Sequence, residues 1–443
     1  MAPQEILIIG AGIAGPPLAT FLLLQPLPVT SLPHITILER SPNPHTTYGQ
    51  NVDIRGAGAT VLRKLGLESA VRAYSTGEEG AQFVDERNRV WFAGAADKTG
   101  EVQTGTSDKE ILRGDLARVL GERLRDVSGE VEAKGGRGVE WVFGERLESL
   151  EQDDDAVTVR FAKSGEKRRF DVVVGADGLM SSTRTLAFGE ESCIKNLDMY
   201  TGFFSLPSAS SDSAWRRWFH APGRKSIMIR PSGHPGRTTA FMAVLSSTDS
   251  RLMDAAKAGR KGVEEQKSLL ASYFANCGWE CPRLIREMHA AEDFYYSPVA
   301  QVKLEKFSKG RVVLLGDAAY CASPISGMGT TLALVGAYTL AGALAQHPSD
   351  HAQAFEQYET MMRPTVAKAQ KLAPGMPWLI HPETAWGVWF MHALVWWLFE
   401  VCGLYLLAAR FKGPPANEVP VDDYGFRELE DKGCVREVQK EQI

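Results

Sequence analysis

Near the amino end, Gly10-Ala11-Gly12-Ile13-Ala14-Gly15 has the glycine spacing of a turn that cradles a diphosphate. The three glycines serve different needs. Gly10 permits the tight turn, Gly12 lets backbone approach a pyrophosphate, and Gly15 lets helix and strand pack closely. Ala14 belongs to the same cradle, and the helix opening there would offer free N–H groups and a positive dipole end to phosphate. Further on, His34-Ile35-Thr36-Ile37-Leu38 ends at Glu39 and Arg40. Glu39 is thereby placed to accept hydrogen bonds from both ribose hydroxyls of an adenosine, with Arg40 beside it. Turn and acid together point to a dinucleotide, but they do not separate a flavin from a nicotinamide. The competing reading is an ordinary glycine turn with a surface glutamate.

Two later segments separate these cofactors. One runs Asp171-Val172-Val173-Val174-Gly175-Ala176-Asp177-Gly178 and continues to Arg184; the other runs Gly316-Asp317-Ala318-Ala319-Tyr320 through Pro324 to Gly329. With these three motifs in order, residues 5 to 370 resemble the para-hydroxybenzoate hydroxylase family of flavoprotein monooxygenases, including its tetracycline-inactivating branch. The resemblance implies FAD as bound cofactor. Asp317 would take a ribityl hydroxyl, and the N–H groups near Gly329 and Thr330 would face the pyrimidine and pyrophosphate. Asp177 and Gly178 would lie near the pyrophosphate, Arg113 would contact FAD, and Asp53 would sit in a loop beside it. Tyr320, Met328 and Thr330 depart from the family's common His, Gln and Asn, which affects substrate more than cofactor.

The resemblance also implies that NAD(P)H docks transiently. A second complete glycine fingerprint is missing, because Gly56-Ala57-Gly58 is followed by Val61 at the third glycine position. The implied reaction consumes NAD(P)H and dioxygen and places one oxygen atom on an electron-rich carbon of a small substrate. The cofactor supplies the hard step, so no protein acid or base is strictly required. Tyr320 is the one polar side chain offered for the flavin's neighbourhood, against a core tyrosine. Phe203, Trp215, Trp218, Met228, Phe241 and Met242 are expected to wall the substrate, with Pro324 and with Arg217 or Arg230 as polar contacts. Such a wall suits an aromatic, polyketide or terpenoid compound.

Holding these groups together requires particular elements. Residues 5–9 and 34–40 read as strands around a helix, and further helices are expected over Ala59–Leu67, Asp115–Arg125 and 262–276. Alternation at Val157, Val159 and Phe161 marks short strands, as does most of 198–300. The expected fold is α/β: a Rossmann-like FAD-binding domain, an interleaved β-sheet substrate domain and a long C-terminal helical segment. The division expected is 1–75, 106–190 and 301–370 for FAD, 76–105 and 191–300 for substrate, and 371–443 for C-terminal helices and tail. The tail after Lys412, rich in proline and charge, reads as an exposed extension.

Composition narrows the partners. A net charge of -5, spread without blocks, lacks the basic surplus that nucleic acid demands. Six scattered cysteines offer no zinc set, and free thiols in a reducing, intracellular and cytoplasmic setting are expected. The amino end shows no basic n-region or cleavage site. The segment 386–411 is unusual for its tryptophans. From Val388 to Ala409 its strongly polar members are His392 and Glu400, and a carboxylate at mid-bilayer costs about 2.5 to 3.5 kcal/mol. Burial between the two domains and contact with a membrane surface are the two readings, burial slightly ahead. For the whole chain, the alternatives to a monooxygenase are a flavin oxidase or dehydrogenase without oxygen transfer, and a flavin-binding protein without turnover.

Overall fold

Ile6 to Ile9 are apolar without alternation because both faces of their strand are covered, the usual state of a parallel sheet between helices. The computed structural model describes residues 3–42, 49–96, 109–189, 193–403 and 419–431. In chain order, β1 (Glu5–Ile9), α1 (Gly15–Leu23) and β2 (His34–Glu39) form a β-α-β unit. β3 (Asn51–Asp53), α2 (Ala57–Lys64) and α3 (Glu68–Ala73) precede the hairpin β4 (Gly80–Val84) and β5 (Val90–Ala95). β6 (Glu110–Leu112) runs into α4 (Arg113–Ala133). Then come β7 (Glu140–Phe143), β8 (Leu147–Gln152), β9 (Val157–Phe161), β10 (Lys167–Phe170), β11 (Val172–Gly175) and α5 (Ser182–Phe188). β12 (Ile194–Pro207), β13 (Trp215–Ala221), β14 (Lys225–Pro231) and β15 (Arg237–Leu245) follow. α6 (Ser250–Ala258), α7 (Val263–Phe274) and α8 (Cys281–Ala290) lead to β16 (Tyr295–Val302). The remaining elements are β17 (Ser308–Lys309), β18 (Val312–Leu314), α9 (Asp317–Tyr320), α10 (Gly329–Gln346), α11 (His351–Ala369) and α12 (Ala385–Trp396).

The first sheet has the order β17-β18-β11-β1-β2-β7. Its inner strands are parallel, and their register decides the function. Ile9 stands opposite both Gly175 and Leu38, and Gly175 stands opposite Leu314. Four strands therefore end level, and the turns after them emerge along one edge, where open parallel sheets bind ligands. α1, wholly buried, packs on this sheet beside α10. Gly66, with φ of +61°, ends α2 ahead of Leu67, so this helix sits earlier than its apolar pattern suggests.

The second sheet has the order β16-β12-β15-β14-β13-β4-β5. One face is closed by α6, α7 and α8, whose Leu252, Leu270, Phe274 and Leu284 pack with Phe219, Ile227 and Met242. The alternate residues of the same strands point to the other face, toward the edge of the first sheet. β3 and β6 pair between the two sheets, Asp53 opposite Glu110.

Two expectations about the C-terminal part are corrected. Residues 419–431 are not a free extension: Val421, Tyr424, Phe426 and Leu429 pack on the core of the first domain. Phe426 lies 5.4 Å from Phe21, and these apolar side chains, two or three residues apart, give the segment an apolar side to lay down. The aromatic segment is also not a long helix buried between domains. α12 ends at Trp396 in a π-helical turn over Trp397–Val401, and Trp386, Trp389 and Phe390 are 69%, 52% and 49% exposed. Its aromatic residues are spread around the helix, so packing one side leaves the others outside. The part of 386–411 from 404 onward lies outside the described residues. Among the described residues no helix is long and apolar enough to cross a membrane.

Candidate active site

Because β1, β11 and β18 end level, the turns beyond them line one cavity of about 1000 Å³. Its walls include Gly10, Gly12, Ala14, Glu39, Arg40, Asp53, Arg113, Asp177, Gly178, Asp317, Gly329 and Thr330. Gly15 lies behind the wall, buried in the first turn of α1, where a side chain would collide with the Gly10 carbonyl oxygen. Gly10 itself has φ of +114° and abuts the Ala176 carbonyl, so the first motif touches the second through backbone alone.

The acid after β2 is tied to the turn after β1. Glu39 Oε2 accepts from the Ala11 N–H at 3.0 Å and Oε1 accepts from the Ser41 N–H at 2.8 Å. Each carboxylate oxygen keeps a further lone pair for a ligand hydroxyl. α1 departs from expectation in one respect. Pro16 and Pro17 occupy its first turn and carry no N–H, so this helix end offers a diphosphate fewer donors than its position allows. α10 compensates. It begins at Gly329 and Thr330 in the cavity wall with no side-chain cap, leaving its first N–H groups and its dipole for a ligand.

Asp317 stands just ahead of that helix. It is exposed by area but in the cavity wall; enclosure raises its carboxyl pKa, while Arg113 and a hydrogen bond with Cys321 oppose the shift. Asp177 plays a structural part as well, accepting from the Thr183 N–H at 3.0 Å to start α5. Arg184 then joins the second motif to the third by donating to the Ala318 and Leu179 carbonyls at 2.9 and 2.8 Å.

The opposite wall is the open face of the second sheet. Phe203, Trp218, Met228, Phe241 and Pro324 line it, with Phe203 and Phe241 in edge contact at 4.9 Å. Its polar groups are Arg216, Arg230 and Thr239. Glu78 accepts from Arg230 at 2.8 and 3.1 Å, and Glu110 at 2.5 Å. Burial lifts the Glu110 pKa to about 7, against the pull of Arg230. Arg216 lies 3.7 Å from Glu78, and burial, then the like charge of Arg230, lowers its pKa.

Four expected residues are elsewhere. Arg217 is on the covered face of β13, paired with Asp212 at 2.7 Å and set over the Trp279 ring. Met242 is in the core beneath the helices, and Trp215 is outside the cavity wall. Tyr320 is a core residue whose hydroxyl accepts from Tyr358 at 2.9 Å, beside Phe307. The sequence reading missed Arg216, which alternation from Trp218 would have found, and the wall segment Met376, Pro377, Ile380 and His381, which carries no motif.

A carboxylate for ribose, a backbone turn for diphosphate, an acid and an arginine for a polyol, and an uncapped helix end fit a flavin dinucleotide. The geometry suits a flavin protein, with an aromatic sheet face across the cavity from these groups. Residues 4–373 match the family model described as FAD binding domain, and the chain belongs to that family. It is 35% identical over 376 residues to the FAD-dependent monooxygenase asL6 of Sarocladium schorii, covering 83% of this chain and 86% of the relative. It is 30% identical to the monooxygenase CTB7 of Cercospora beticola, covering 95% and 98%. Among solved structures it is similar to tetracycline destructase Tet(51), at 28% identity and a TM-score of 0.69, covering 94% of this chain and 99% of the other. The protein is an FAD-dependent monooxygenase.

Proposed function

We propose that the protein uses NAD(P)H and dioxygen to oxygenate an aromatic, polyketide or terpenoid compound, as a step of secondary-metabolite biosynthesis. One observation carries the reading: a single cavity joins the three glycine-and-acid turns to an aromatic sheet face bearing Arg216. The likeness to a tetracycline destructase and to fungal monooxygenases supports a fused-ring polyketide among these classes. Bound FAD supplies the redox chemistry and the activation of dioxygen.

The chain's own groups bind, orient and exclude water. Glu39 and the Gly10–Gly15 turn would hold the adenosine and diphosphate, with Arg40, Asp177 and Gly178 at the rim. Arg113 and Asp317 would hold the polyol, Asp53 lines the same cavity, and the amino end of α10 would stabilise negative charge on the ring system. Phe203, Trp218, Met228 and Phe241 present an apolar slot to a planar substrate, and Arg216 pairs with an enolate or phenolate oxygen. The two sheets support the division into FAD-binding and substrate segments expected from the sequence. The test is loss of NAD(P)H by purified yellow protein that needs both dioxygen and substrate, with a product heavier by one oxygen atom. Full conversion of the electrons to hydrogen peroxide would instead establish an oxidase, and a colourless protein that refuses FAD would remove the reading.

We infer a second contact, between α12 and a membrane surface. Trp386, Trp389, Phe390, Trp396 and Trp397 are each close to half exposed or more, and tryptophan favours the headgroup region. Co-sedimentation with phosphatidylcholine vesicles tests it. Wild type pellets while a Trp386→Ser, Trp389→Ser, Phe390→Ser variant stays in the supernatant; equal partition of the two removes the inference.

A further inference from the structure

On the far side of the second sheet, α7 and α8 are joined by a turn that brings two thiols together. Cys281 is the first residue of α8 and is buried; Cys277, in the turn, is partly buried against the same core cluster. Four residues apart, one in the turn and one opening α8, the two thiols pack into the same core cluster. Lys225, which opens β14, donates to the Tyr273 carbonyl at 2.8 Å, beside the Cys277 sulfur. Cys277 Sγ lies 3.9 Å from that same carbonyl. The thiol of Cys281 donating to it, with Lys225 behind, brings the Cys277 pKa down to about 6 against burial and Glu86. The same hydrogen bond, then burial, pushes Cys281 up. The surroundings favour the thiolate at Cys277 and the thiol at Cys281, the division of labour of an attacking and a resolving cysteine.

We propose that Cys277 and Cys281 form a peroxide-reactive dithiol, in which Cys277 is the sulfur oxidised and Cys281 closes the disulfide. The Cys277 thiolate attacks one oxygen of hydrogen peroxide, the O–O bond breaks, and hydroxide leaves and is protonated to water. The sulfenic acid so formed is attacked by Cys281, its S–O bond breaks, and a second water leaves with the Cys281 proton. Two thiols lose two electrons, and one peroxide becomes two waters. Two cysteines four residues apart, one in the turn and one at the first position of α8, lie within a short stretch of chain that a bond of about 2.05 Å can close. The natural oxidant rests on the monooxygenase reading, since such an enzyme releases hydrogen peroxide whenever oxygen reduction outruns substrate oxygenation. The sulfur chemistry does not rest on it, and reagent peroxide separates the two.

Trypsin releases both cysteines in one peptide, Ser268–Arg283. After stoichiometric hydrogen peroxide the full chain should yield this peptide lighter by two hydrogen atoms, reversibly with dithiothreitol. Cys281→Ala should hold Cys277 as a sulfenic acid that dimedone traps. Lys225→Met should slow alkylation of Cys277 by iodoacetamide at neutral pH at least about fivefold. The proposal is overturned if Ser268–Arg283 stays reduced while Cys193 or Cys402 is oxidised. It is equally overturned if Cys281→Ala yields no trapped sulfenic acid, or if Lys225→Met leaves the alkylation rate unchanged.

Discussion

Asp317 faces the amino end of α10 so closely that a side chain added at Gly329 would meet its Oδ1 at 3.7 Å. The acid and the helix end therefore bracket one narrow strip of the cavity wall, with Arg113 the cation that bears on the acid. A ligand seated there donates to the carboxylate and accepts from the helix N–H groups. Asp317→Ala should remove a hydrogen bond to a charged group, a loss of about 1.5 to 3 kcal/mol, or roughly 10- to 100-fold in affinity. Flavin titration by fluorescence quenching measures it. Unchanged affinity would take Asp317 out of the site.

Arg216 and Arg217 are neighbours with opposite fates. Arg216 faces the cavity and Arg217 the helices, where it pairs with Asp212 and, at 4.0 Å, Glu280. Arg216→Leu should lower kcat/KM for an acidic phenolic substrate by about 10- to 100-fold with flavin content intact. Arg217→Leu should leave kcat/KM within about twofold and lower Tm, because Asp212 loses one of its two arginine partners and keeps Arg283. The opposite pattern would place the substrate wall on the wrong face.

That pair shows how far residue types and spacing reach. Gly10, Gly12 and Gly15 stand out in the sequence because a turn that approaches a phosphate demands glycine at fixed spacing, whereas Asp177, Gly178 and Asp317 stand out through the family resemblance of their segments. Their convergence depends on register, Ile9 beside Gly175 beside Leu314, which no local spacing encodes. Strand alternation tells that Arg216 and Arg217 point oppositely, but which face is open depends on where α6, α7 and α8 land. The apolar length of α12 is likewise the same whether the helix is covered or exposed.

Tyr320 takes the position of a family histidine but lies in the core and not in the cavity wall. Its ring packs 5.2 Å from Phe307, and its hydroxyl meets Tyr358. Tyr320→Phe should cost about 1 kcal/mol of stability, through the hydrogen bond that Tyr358 loses, and change turnover less than twofold. Denaturant unfolding and steady-state rates together check this. A large fall in kcat at unchanged stability would return Tyr320 to the chemistry.

α12 is held on the second sheet through histidine. His392, 3% exposed, sets Nε2 3.3 Å from His220 Nδ1 and packs near the Phe83 and Trp91 rings. Burial lowers its pKa from 6.5 to about 4, with Asp85 opposing, and burial lowers His220 well below its usual value, helped by the charges of His381 and His392. The folded chain thus keeps both rings neutral while the unfolded chain protonates them near pH 6.5. Their contribution is complete above that pH and declines as pH falls toward 4, because only the unfolded state takes up protons in that window. For His392 the loss amounts to about 3 kcal/mol. Thermal unfolding from pH 7.5 to 4.5 should show a falling Tm, and His392→Leu should give a shallower slope, with His220, His381 and His351, whose pKa values burial also lowers, contributing to the remainder. Identical slopes in the two proteins would show that His392 is not what the acid acts on.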